Sequence, residues 1–386
     1  MKTPLSIVSV SSVSALGSNF LEIWERYKNP EHYLSEHDFG KKNKAFAAFL
    51  PEQEKKEIEA LRNSSSGFKR LDRSVLFAVY CARKAFQAAG WEKGENIGIN
   101  IGSSRGATEL FEKYHEEFLR NGKTPTTTSP STTLGNISTW VAQDLMSEGP
   151  EFSHSVTCST GLHAVLNAMA WLKAGMADKF LVGGSEAALT PFSIAQMQAM
   201  KIYATRDGAY PCQSLNMSKQ ENSMVLGEGA GILCLEYGKK KNAIAEITGI
   251  GFSTEKLKHP VSISADGEGL RRAMDMALKD CPREEVDAIV MHAPGTIKGD
   301  AAEVAAVKAV FPCKTPALTS NKWKIGHTFG ASGVLSLELA LLMMRHQKFI
   351  GVPFSPISKP PLKLKKILVN ALGFGGNAVS VLVENN

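Results

Sequence analysis

The chain has 386 residues, of which 43% are hydrophobic and 21% charged, and its formal net charge is +6. This is a globular composition with enough apolar material for a large core, and the length fits two fused units or one large α/β enzyme. No run of eighteen apolar residues occurs, so we expect no membrane span, and the modest, dispersed positive charge favours an acidic protein partner over nucleic acid.

Short apolar runs alternate with longer helical patterns, which predicts an α/β fold. The predicted strands are residues 6–10, 97–101, 180–182, 231–236, 288–291, 367–369 and 379–384. The predicted helices are residues 73–89, 162–174, 269–278, 300–310 and 334–346. The charged and then serine-rich stretch 52–66 predicts an exposed helix end and loop, and the Thr-, Pro- and Ser-rich stretch 121–130 predicts a covering loop.

An internal echo predicts two similar halves. Segment 179–184 followed by 229–236 resembles segment 366–370 followed by 376–384, and segment 97–103 resembles 288–294. We predict a first half at residues 1–240 and a second at residues 241–386, joined near the basic run 239–241. Chance similarity between short strands is the alternative that these residues leave open.

The cysteines and the first residues of the chain indicate a reducing compartment. Residues 1–4 pass into a strand-like run without the apolar core of a signal peptide, so we expect a cytoplasmic protein. The six cysteines are scattered and form no CxxC pair, which favours reduced thiols over disulfides or a zinc site. We therefore expect no bound metal, and only Cys158 has a context that suggests reactivity.

The segment 156–164 (Val-Thr-Cys-Ser-Thr-Gly-Leu-His-Ala) predicts a cysteine on a tight turn between a strand and a helix. β-type residues precede Cys158, small residues follow it, and an amphipathic helix then begins. At a helix N-terminus, the macrodipole and the free N–H groups favour a thiolate and can hold a developing oxyanion. A buried structural cysteine beside a helix cap is the alternative.

Two histidines lie in loops that suit contact with a ligand. His292 follows the predicted strand 288–291, and ligands gather beyond the carboxyl ends of strands in α/β sheets. His327 follows Gly326 and opens a predicted helix whose first turn consists of small residues, so it suits the role of a neutral hydrogen-bond donor. An ordinary loop histidine and a helix-capping histidine are the respective alternatives.

The segment 373–376 (Gly-Phe-Gly-Gly) lies between two predicted strands. Three glycines around Phe374 predict a mobile loop that carries an aromatic gate. An unremarkable turn is the alternative.

The order of these features is more specific than any one of them. A cysteine before a helix, His292, Lys322 five residues before His327, and the Gly-Phe-Gly-Gly loop resemble the β-ketoacyl-acyl-carrier-protein synthases, condensing enzymes of the thiolase superfamily. The resemblance extends through residues 13–17, 71–73, 225–231 and 299–303. It implies a duplicated, five-layered αβαβα thiolase-like fold and a homodimer or a heterodimer with a related subunit.

The resemblance also implies a role for each matching residue. Cys158 would take the acyl group from the phosphopantetheine arm of an acyl carrier protein, and no other cofactor is implied. The N–H groups of Cys158 and Phe374, with Gly373 and Gly375 forming the gate, would hold the oxyanion. His292 and His327 would donate hydrogen bonds to the enolate when a malonyl group loses CO2, and Lys322 would order them. Thr296 would bind pantetheine, and Lys69 and Arg70 would dock the carrier protein, although a solvated basic face is the more frequent explanation of such a pair.

Several departures from the family pattern indicate a divergent, specialised synthase. Ala293 and Pro294 replace a Gly-Thr pair, Leu372 replaces an aromatic residue, and Ser336 replaces a glutamate that is found again two positions on, at Glu338. Segment 215–223 lacks the usual Arg and Asp pattern. The motifs do not specify the acyl length or the pathway, whether fatty acid, polyketide or aryl-polyene-like.

Three other functions compete with this interpretation. A non-catalytic partner that resembles a chain-length factor would be expected to lack Cys158. A thiolase-type or initiating enzyme that uses coenzyme A would be expected to carry a second cysteine or an asparagine in the late motifs. A cysteine hydrolase fits two histidines less well than decarboxylation does.

Overall fold

A computed structural model describes residues 3–40, 42–134, 136–205, 208–256, 263–354 and 360–385. The strands in this part of the chain are β1 (Leu5–Val13), β2 (Ser35–Asp38), β3 (Lys44–Ala48), β4 (Ile97–Gly102), β5 (Glu151–Phe152), β6 (Lys179–Glu186), β7 (Leu226–Gly227), β8 (Gly229–Tyr237), β9 (Ala245–Thr254), β10 (Ala288–Val290), β11 (Ala317–Thr319), β12 (Lys366–Gly373) and β13 (Asn377–Glu384).

The α-helices in the same part are α1 (Phe20–Lys28), α2 (Glu52–Asn63), α3 (Arg73–Ala89), α4 (Thr108–Asn121), α5 (Thr128–Thr132), α6 (Asn136–Leu145), α7 (Thr160–Lys173), α8 (Pro191–Ala199), α9 (Glu268–Ala277), α10 (Ile297–Val310), α11 (Lys322–Ile325) and α12 (Ser332–His346). Within the described residues, no helix is both long enough and apolar enough to span a lipid bilayer.

Two five-stranded sheets have the same topology. The first has the order β1-β8-β6-β4-β5 and the second the order β9-β13-β12-β10-β11. In each sheet the first three strands pair antiparallel and the last three pair parallel. The correspondence of β6 with β12, β8 with β13 and β4 with β10 is the one that the internal echo predicted. The fold is therefore duplicated, as expected.

Helices and sheets alternate in five layers. Helices α3 and α6 cover the outer face of the first sheet, and α9 covers the outer face of the second sheet and packs on α10. Helices α7 and α12 lie between the sheets and contact both of them. The faces of these two helices that meet the sheets are apolar: Val165, Val334 and Leu337 are fully buried in one large hydrophobic cluster. The αβαβα architecture is the predicted one.

Helix α3 begins and ends where the sequence predicted, because both caps are local. Asp72 accepts a hydrogen bond from the N–H of Ser74 at the N-cap, and Gly90 adopts the left-handed conformation that closes the C-terminus. Helix α7 ends similarly, with Gly175 at a φ of 70°.

Two predictions about loops were correct only in part. The predicted loop 121–130 runs into helix α5, whose five residues are closed by side-chain bonds such as that from Ser131 Oγ to the carbonyl of Thr127. The predicted helix end and loop at 52–66 is a complete helix, α2, up to Asn63, which buries Ile58 and Leu61 on one face.

Candidate active site

One cavity of about 520 Å³ brings together most of the residues that the sequence singled out. Cys158, His292, His327, Thr296 and the Gly373–Phe374 pair all line it. These residues come from three separate turns and one helix N-terminus, so the duplicated fold assembles the site from both sheets.

Cys158 lies two residues before α7, in a turn rather than at the end of a strand. The predicted tight turn at a helix N-terminus is confirmed, but the preceding strand, β5, ends at Phe152, so the turn does not follow the strand directly. Thr157 takes a φ of 50°, and the N–H groups of Ser159 and Thr160 bond back to the carbonyls of Val156 and Thr157. The turn holds the thiol against the start of the helix, where only 4% of Cys158 is exposed.

The environment of Cys158 favours the thiol in the resting site. Burial, and then the nearby Glu186 carboxylate, raises the pKa of Cys158 to about 12. The Arg105 guanidinium, the backbone N–H of Phe374 and the Lys322 ammonium act in the opposite direction. The predicted preference for a thiolate at the helix N-terminus is therefore outweighed by burial before substrate binds.

His292 follows β10 in a loop held by a buried carboxylate. Glu303 of α10 accepts the backbone N–H groups of His292 and Ala293 at 2.9 and 2.8 Å. The side-chain amide of Asn370 donates to the same carboxylate at 3.1 Å. The position beyond the carboxyl end of a strand is the predicted one, and Glu303 fixes the loop through its backbone.

The prediction that His327 opens a helix was wrong. His327 lies after α11, and a 3₁₀ turn (Phe329–Ala331) separates it from α12. Its N–H donates to the carbonyl of Val225 at 2.7 Å, and its carbonyl accepts the N–H of Gly227 at 3.1 Å. Gly326 has a φ of 69°, and a Cβ there would lie 2.8 Å from the backbone of Leu226, so a glycine is required for this approach.

The two imidazole rings face one another nearly at right angles. Their centroids are 5.1 Å apart and their planes make an angle of 84°. Burial, and then the Lys322 charge, lowers the pKa of His327 to about 3. Burial, followed by His327 and Lys322, lowers the pKa of His292 well below its usual value. Both rings are therefore neutral near pH 7, and each can donate one N–H to an oxyanion.

Lys322 is buried behind the histidines, with 1% of its surface exposed. Its Nζ donates to Asn321 Oδ1 and to Ser336 Oγ, each at 3.1 Å. Burial lowers the pKa of Lys322 to about 8, against the opposing effect of the Glu303 charge. Glu338 does not replace the missing glutamate, because its carboxylate accepts the hydroxyl of Ser12 at 2.6 Å.

The Gly-Phe-Gly-Gly segment forms the turn between β12 and β13. The carbonyl of Phe374 accepts the Thr157 hydroxyl at 3.1 Å, which ties the turn to the segment beside Cys158. A Cβ on Gly373 would lie 2.1 Å from Thr157 Oγ1, and Gly375 has a φ of 91°. Both glycines are therefore required by the backbone, and Phe374 remains 37% exposed at the cavity.

The remaining predicted residues lie in two places. Thr296 lines the cavity and also caps α10, where its side chain accepts the N–H of Gly299 at 3.2 Å. Lys69 and Arg70 are exposed in the turn between α2 and α3 and do not line the cavity.

The sequence analysis missed Glu186, which organises the wall next to Cys158. This fully buried carboxylate at the end of β6 accepts Ser103 Oγ and the N–H groups of Ser104, Arg105 and Gly330 at 2.8–3.1 Å. Burial raises the pKa of Glu186 to about 7. An acidic residue two positions after the apolar and glycine run 180–184, at the carboxyl end of a buried strand, is the signal that could have identified it.

A buried ion pair joins segment 215–223 to helix α10. Lys219 Nζ lies 2.7 Å from Asp300 Oδ2, and both side chains are almost inaccessible. Asp300 also accepts the N–H groups of Leu215 and Gly295. The pair thus fixes the loop that follows His292, through the bond from the Gly295 N–H to Asp300.

Comparisons with known proteins cover most of the chain. Residues 11–241 match the family described as "Beta-ketoacyl synthase, N-terminal domain", and residues 244–352 match "Beta-ketoacyl synthase, C-terminal domain". A relative from Coxiella burnetii (strain RSA 493 / Nine Mile phase I), named "3-oxoacyl-[acyl-carrier-protein] synthase 2", is 29% identical over 97% of this chain and 97% of its own length.

Two solved structures share the fold at 21% sequence identity. "The ishigamide ketosynthase/chain length factor" gives a TM-score of 0.85 over 100% of this chain and 99% of the other. "AntDE:AntF (apo): type II PKS acyl-carrier protein in complex with its ketosynthase bound to the hexaketide" also gives 0.85, over 100% of both chains.

Proposed function

The chain belongs to the β-ketoacyl synthase family, and we propose that it is a β-ketoacyl-acyl-carrier-protein synthase with a Cys-His-His site. In this proposal it condenses a malonyl group on a carrier protein with an acyl group held on Cys158. The observation that carries the proposal is the presence of one thiol and two neutral imidazoles in a single cavity. The name of the Coxiella burnetii relative supports the same activity.

The first step is acyl transfer to Cys158. The sulfur attacks the thioester carbonyl, the bond to the pantetheine sulfur breaks, and the proton of the Cys158 thiol ends on the departing pantetheine sulfur. The backbone N–H groups of Cys158 and Phe374 would hold the oxyanion that forms in between. The raised pKa of Cys158 is consistent with proton transfer during the attack rather than with a stored thiolate. Covalent capture divides one difficult reaction into two easier ones.

The second step is decarboxylation of the malonyl group. The bond to the carboxylate carbon breaks, CO2 leaves, and the electron pair remains as an enolate on the thioester. His292 and His327 would each donate a hydrogen bond to the enolate oxygen, and fixed donors of this kind contribute about 3 kcal/mol each to lowering the barrier. A charged imidazolium is unfavourable at these buried positions, so neutral imidazoles are suited to donate the two hydrogen bonds.

Carbon–carbon bond formation completes the cycle. The enolate carbon attacks the acyl carbonyl on Cys158, the carbon–sulfur bond breaks, and the thiolate takes up a proton. Lys322 would act as a positioning residue, because its ammonium lies behind both rings and its charge favours the enolate. The reaction needs no cofactor other than the pantetheine arm on which the substrates arrive.

The partner of this reaction is an acyl carrier protein. A related structure holds a carrier protein in complex with its ketosynthase, and another pairs a ketosynthase with a chain length factor. By the same reasoning, Thr296 would contact pantetheine and Lys69 and Arg70 would meet the acidic carrier. A dimer, with itself or with a related subunit, and the division into halves 1–240 and 241–386 belong to the proposal.

Two measurements test the function. Incubation with hexanoyl-carrier protein should add one hexanoyl mass to the native chain and none to C158A. Release of labelled CO2 from malonyl-carrier protein should fall by roughly 100-fold or more in H292A and in H327A, by analogy with the removal of an oxyanion donor. A chain that gains no acyl mass would contradict the proposal and would support the chain-length-factor alternative.

A further inference from the structure

A second cavity of about 360 Å³ lies directly beside the catalytic one. Phe329 and Phe374 line both cavities and therefore form the partition between them. Thr157, the residue before Cys158, also lines the second cavity. The second cavity therefore lies next to the space into which an acyl group on Cys158 would extend.

Arg105 adds a cationic group to the lining of the second cavity, and a hydrocarbon chain could form no hydrogen bond with that group. Its guanidinium carbon lies 4.8 Å from the centre of the Phe329 ring, and its Nη1 donates to Gln196 Oε1. Its backbone N–H is held by Glu186, so the residue is fixed at both ends. In the described part of the chain Arg105 forms no ion pair, and its Nε is buried without a hydrogen-bond partner.

An acceptor lines the same space. Glu112 of α4 is half-buried, and its Oε1 accepts the hydroxyl of Thr190. The cavity therefore presents one cationic donor and one anionic acceptor that are not bonded to each other.

The chemistry of this pair selects among acyl groups. A hydrocarbon chain would remove water from the guanidinium and offer no hydrogen bond in return. A carboxylate would meet the repulsion of Glu112, and a keto oxygen would use only Arg105. A hydroxyl group can accept from Arg105 and donate to Glu112 at the same time.

Resting on the proposed function, we infer that the second cavity receives the acyl chain and that Arg105 and Glu112 select an acyl group that carries a hydroxyl. Arg105 is then a specificity-determining residue. Sites built to hydrogen-bond a substrate hydroxyl discriminate against analogues that lack it more strongly than apolar pockets discriminate between chain lengths.

The test compares matched pairs of N-acetylcysteamine thioesters, so that it depends on no particular carrier protein. The pairs are 6-hydroxyhexanoyl with heptanoyl, 8-hydroxyoctanoyl with nonanoyl, and 10-hydroxydecanoyl with undecanoyl, in which a methyl group replaces the hydroxyl. The rate of acylation of Cys158 is followed by intact mass. In the native chain we expect the hydroxyl to be preferred in at least one pair by roughly 10- to 100-fold, the range for a hydrogen bond to a charged group.

Variants assign that preference to the two residues. R105L should bring the ratio of the two rates close to one, E112L should lower it, and R105K should retain part of it. R120L is the matched control, because Arg120 lies on the same helix as Glu112 but is 72% exposed on the surface, and its ratio should equal that of the native chain. The ratio also separates selection from the effect of Arg105 on the thiol, since a change in thiol reactivity alters both rates of a pair equally.

Each outcome is decisive. Equal rates within every pair in the native chain would overturn the inference, and this result does not depend on the folding of any variant. Acylation of Cys158 would in that case still support the proposed function. An unchanged preference in R105L would also overturn the inference. Absence of acylation by all six thioesters would overturn the proposed function and the inference with it.

Discussion

Lys322 Nζ lies 3.1 Å from the hydroxyl oxygen of Ser336, so a buried ammonium behind the two histidines is held by neutral oxygens. Ser336 occupies the position at which the family commonly carries a glutamate. Burial lowers the pKa of Lys322 to about 8, and among the described residues no carboxylate lies in direct contact with Nζ to restore it. The ammonium charge, which in the proposed function would support the enolate, is consequently lost as the pH rises through about 8.

This relationship predicts an alkaline limit to decarboxylation. Above pH 8 the native chain should release CO2 from malonyl-carrier protein progressively more slowly, because Lys322 becomes neutral. S336E would place a carboxylate beside Nζ, raise the pKa of Lys322 and extend activity to higher pH. S336A, which only removes one neutral partner, serves as the control. An alkaline limb that stays in place in S336E would show that Lys322 is not its origin.

Glu303 should affect decarboxylation more than acylation. Its carboxylate holds the N–H groups of His292 and Ala293, and a displacement of about 1 Å at a catalytic group can cost roughly 100-fold in rate. We expect E303Q to lower CO2 release by that order and to change acylation of Cys158 much less, since the thiol is held by other elements. The two rates are measured separately by labelled CO2 and by intact mass. Equal losses in both would indicate general damage to the fold instead.

Glu186 and Arg105 should shift the reactivity of Cys158 in opposite directions. Glu186 raises the pKa of the thiol and Arg105 lowers it, so at pH 8 iodoacetamide should alkylate E186Q faster and R105L more slowly than the native chain. Because the pKa of Glu186 is itself about 7, the difference between E186Q and the native chain should grow as the pH rises through 7 and vanish well below it.

A second buried glutamate provides the control for this measurement. Burial also raises the pKa of Glu338 to about 7, but this residue bonds to Ser12 and is not among the groups that act most on the pKa of Cys158. E338Q should therefore leave the alkylation profile unchanged. A shift of the same size in E338Q and E186Q would contradict a local effect of Glu186.

The sequence predicted the features that are determined locally or by periodicity. The bounds of α3 were correct because its caps, Asp72 and Gly90, adjoin the apolar pattern. The duplication could be predicted because equivalent strands of the two halves carry similar runs of apolar residues. Strand β6 extends four residues beyond the prediction, through two glycines and Ser185 to Glu186, because its register is set by pairing with β8, a contact distant in sequence.

The sequence predicted which residues belong to the candidate site, but it did not predict their burial, their contacts or their pKa values. Motif order identified Cys158 and His292, whereas the raised pKa of the thiol depends on burial that only the assembled layers produce. The turn at His327 depends on Gly326 fitting against Leu226, from a segment a hundred residues earlier in the chain. The contact between Lys219 and Asp300 joins residues 81 positions apart, so no local pattern indicated it.

Removing only one partner of the Lys219–Asp300 ion pair should lower the free energy of unfolding substantially. K219M would leave the Asp300 carboxylate buried without its cation, and such changes destabilise proteins by about 3–5 kcal/mol. The double variant K219M/D300N should recover part of this loss, because no uncompensated charge remains. Urea unfolding measures both values.

K28M, which removes an exposed pair with Glu25, should change the free energy of unfolding by less than about 1 kcal/mol. A loss in K219M no larger than in K28M would contradict the argument.

Gly373 should be irreplaceable for acylation although it lies in an ordinary hairpin turn. A Cβ at this position would lie 2.1 Å from Thr157 Oγ1 and 2.6 Å from the carbonyl of Val156, so G373A must push the turn away from the Cys158 segment. Such a displacement moves the Phe374 N–H away from the sulfur and removes an oxyanion donor, which costs roughly 100-fold or more in rate. We expect acylation of Cys158 to fall by that order. G208A is the matched control, because a Cβ there meets no atom of the described residues within 4 Å, and it should acylate at the native rate. Native acylation by G373A would mean that the turn adapts without loss and that Phe374 contributes no donor.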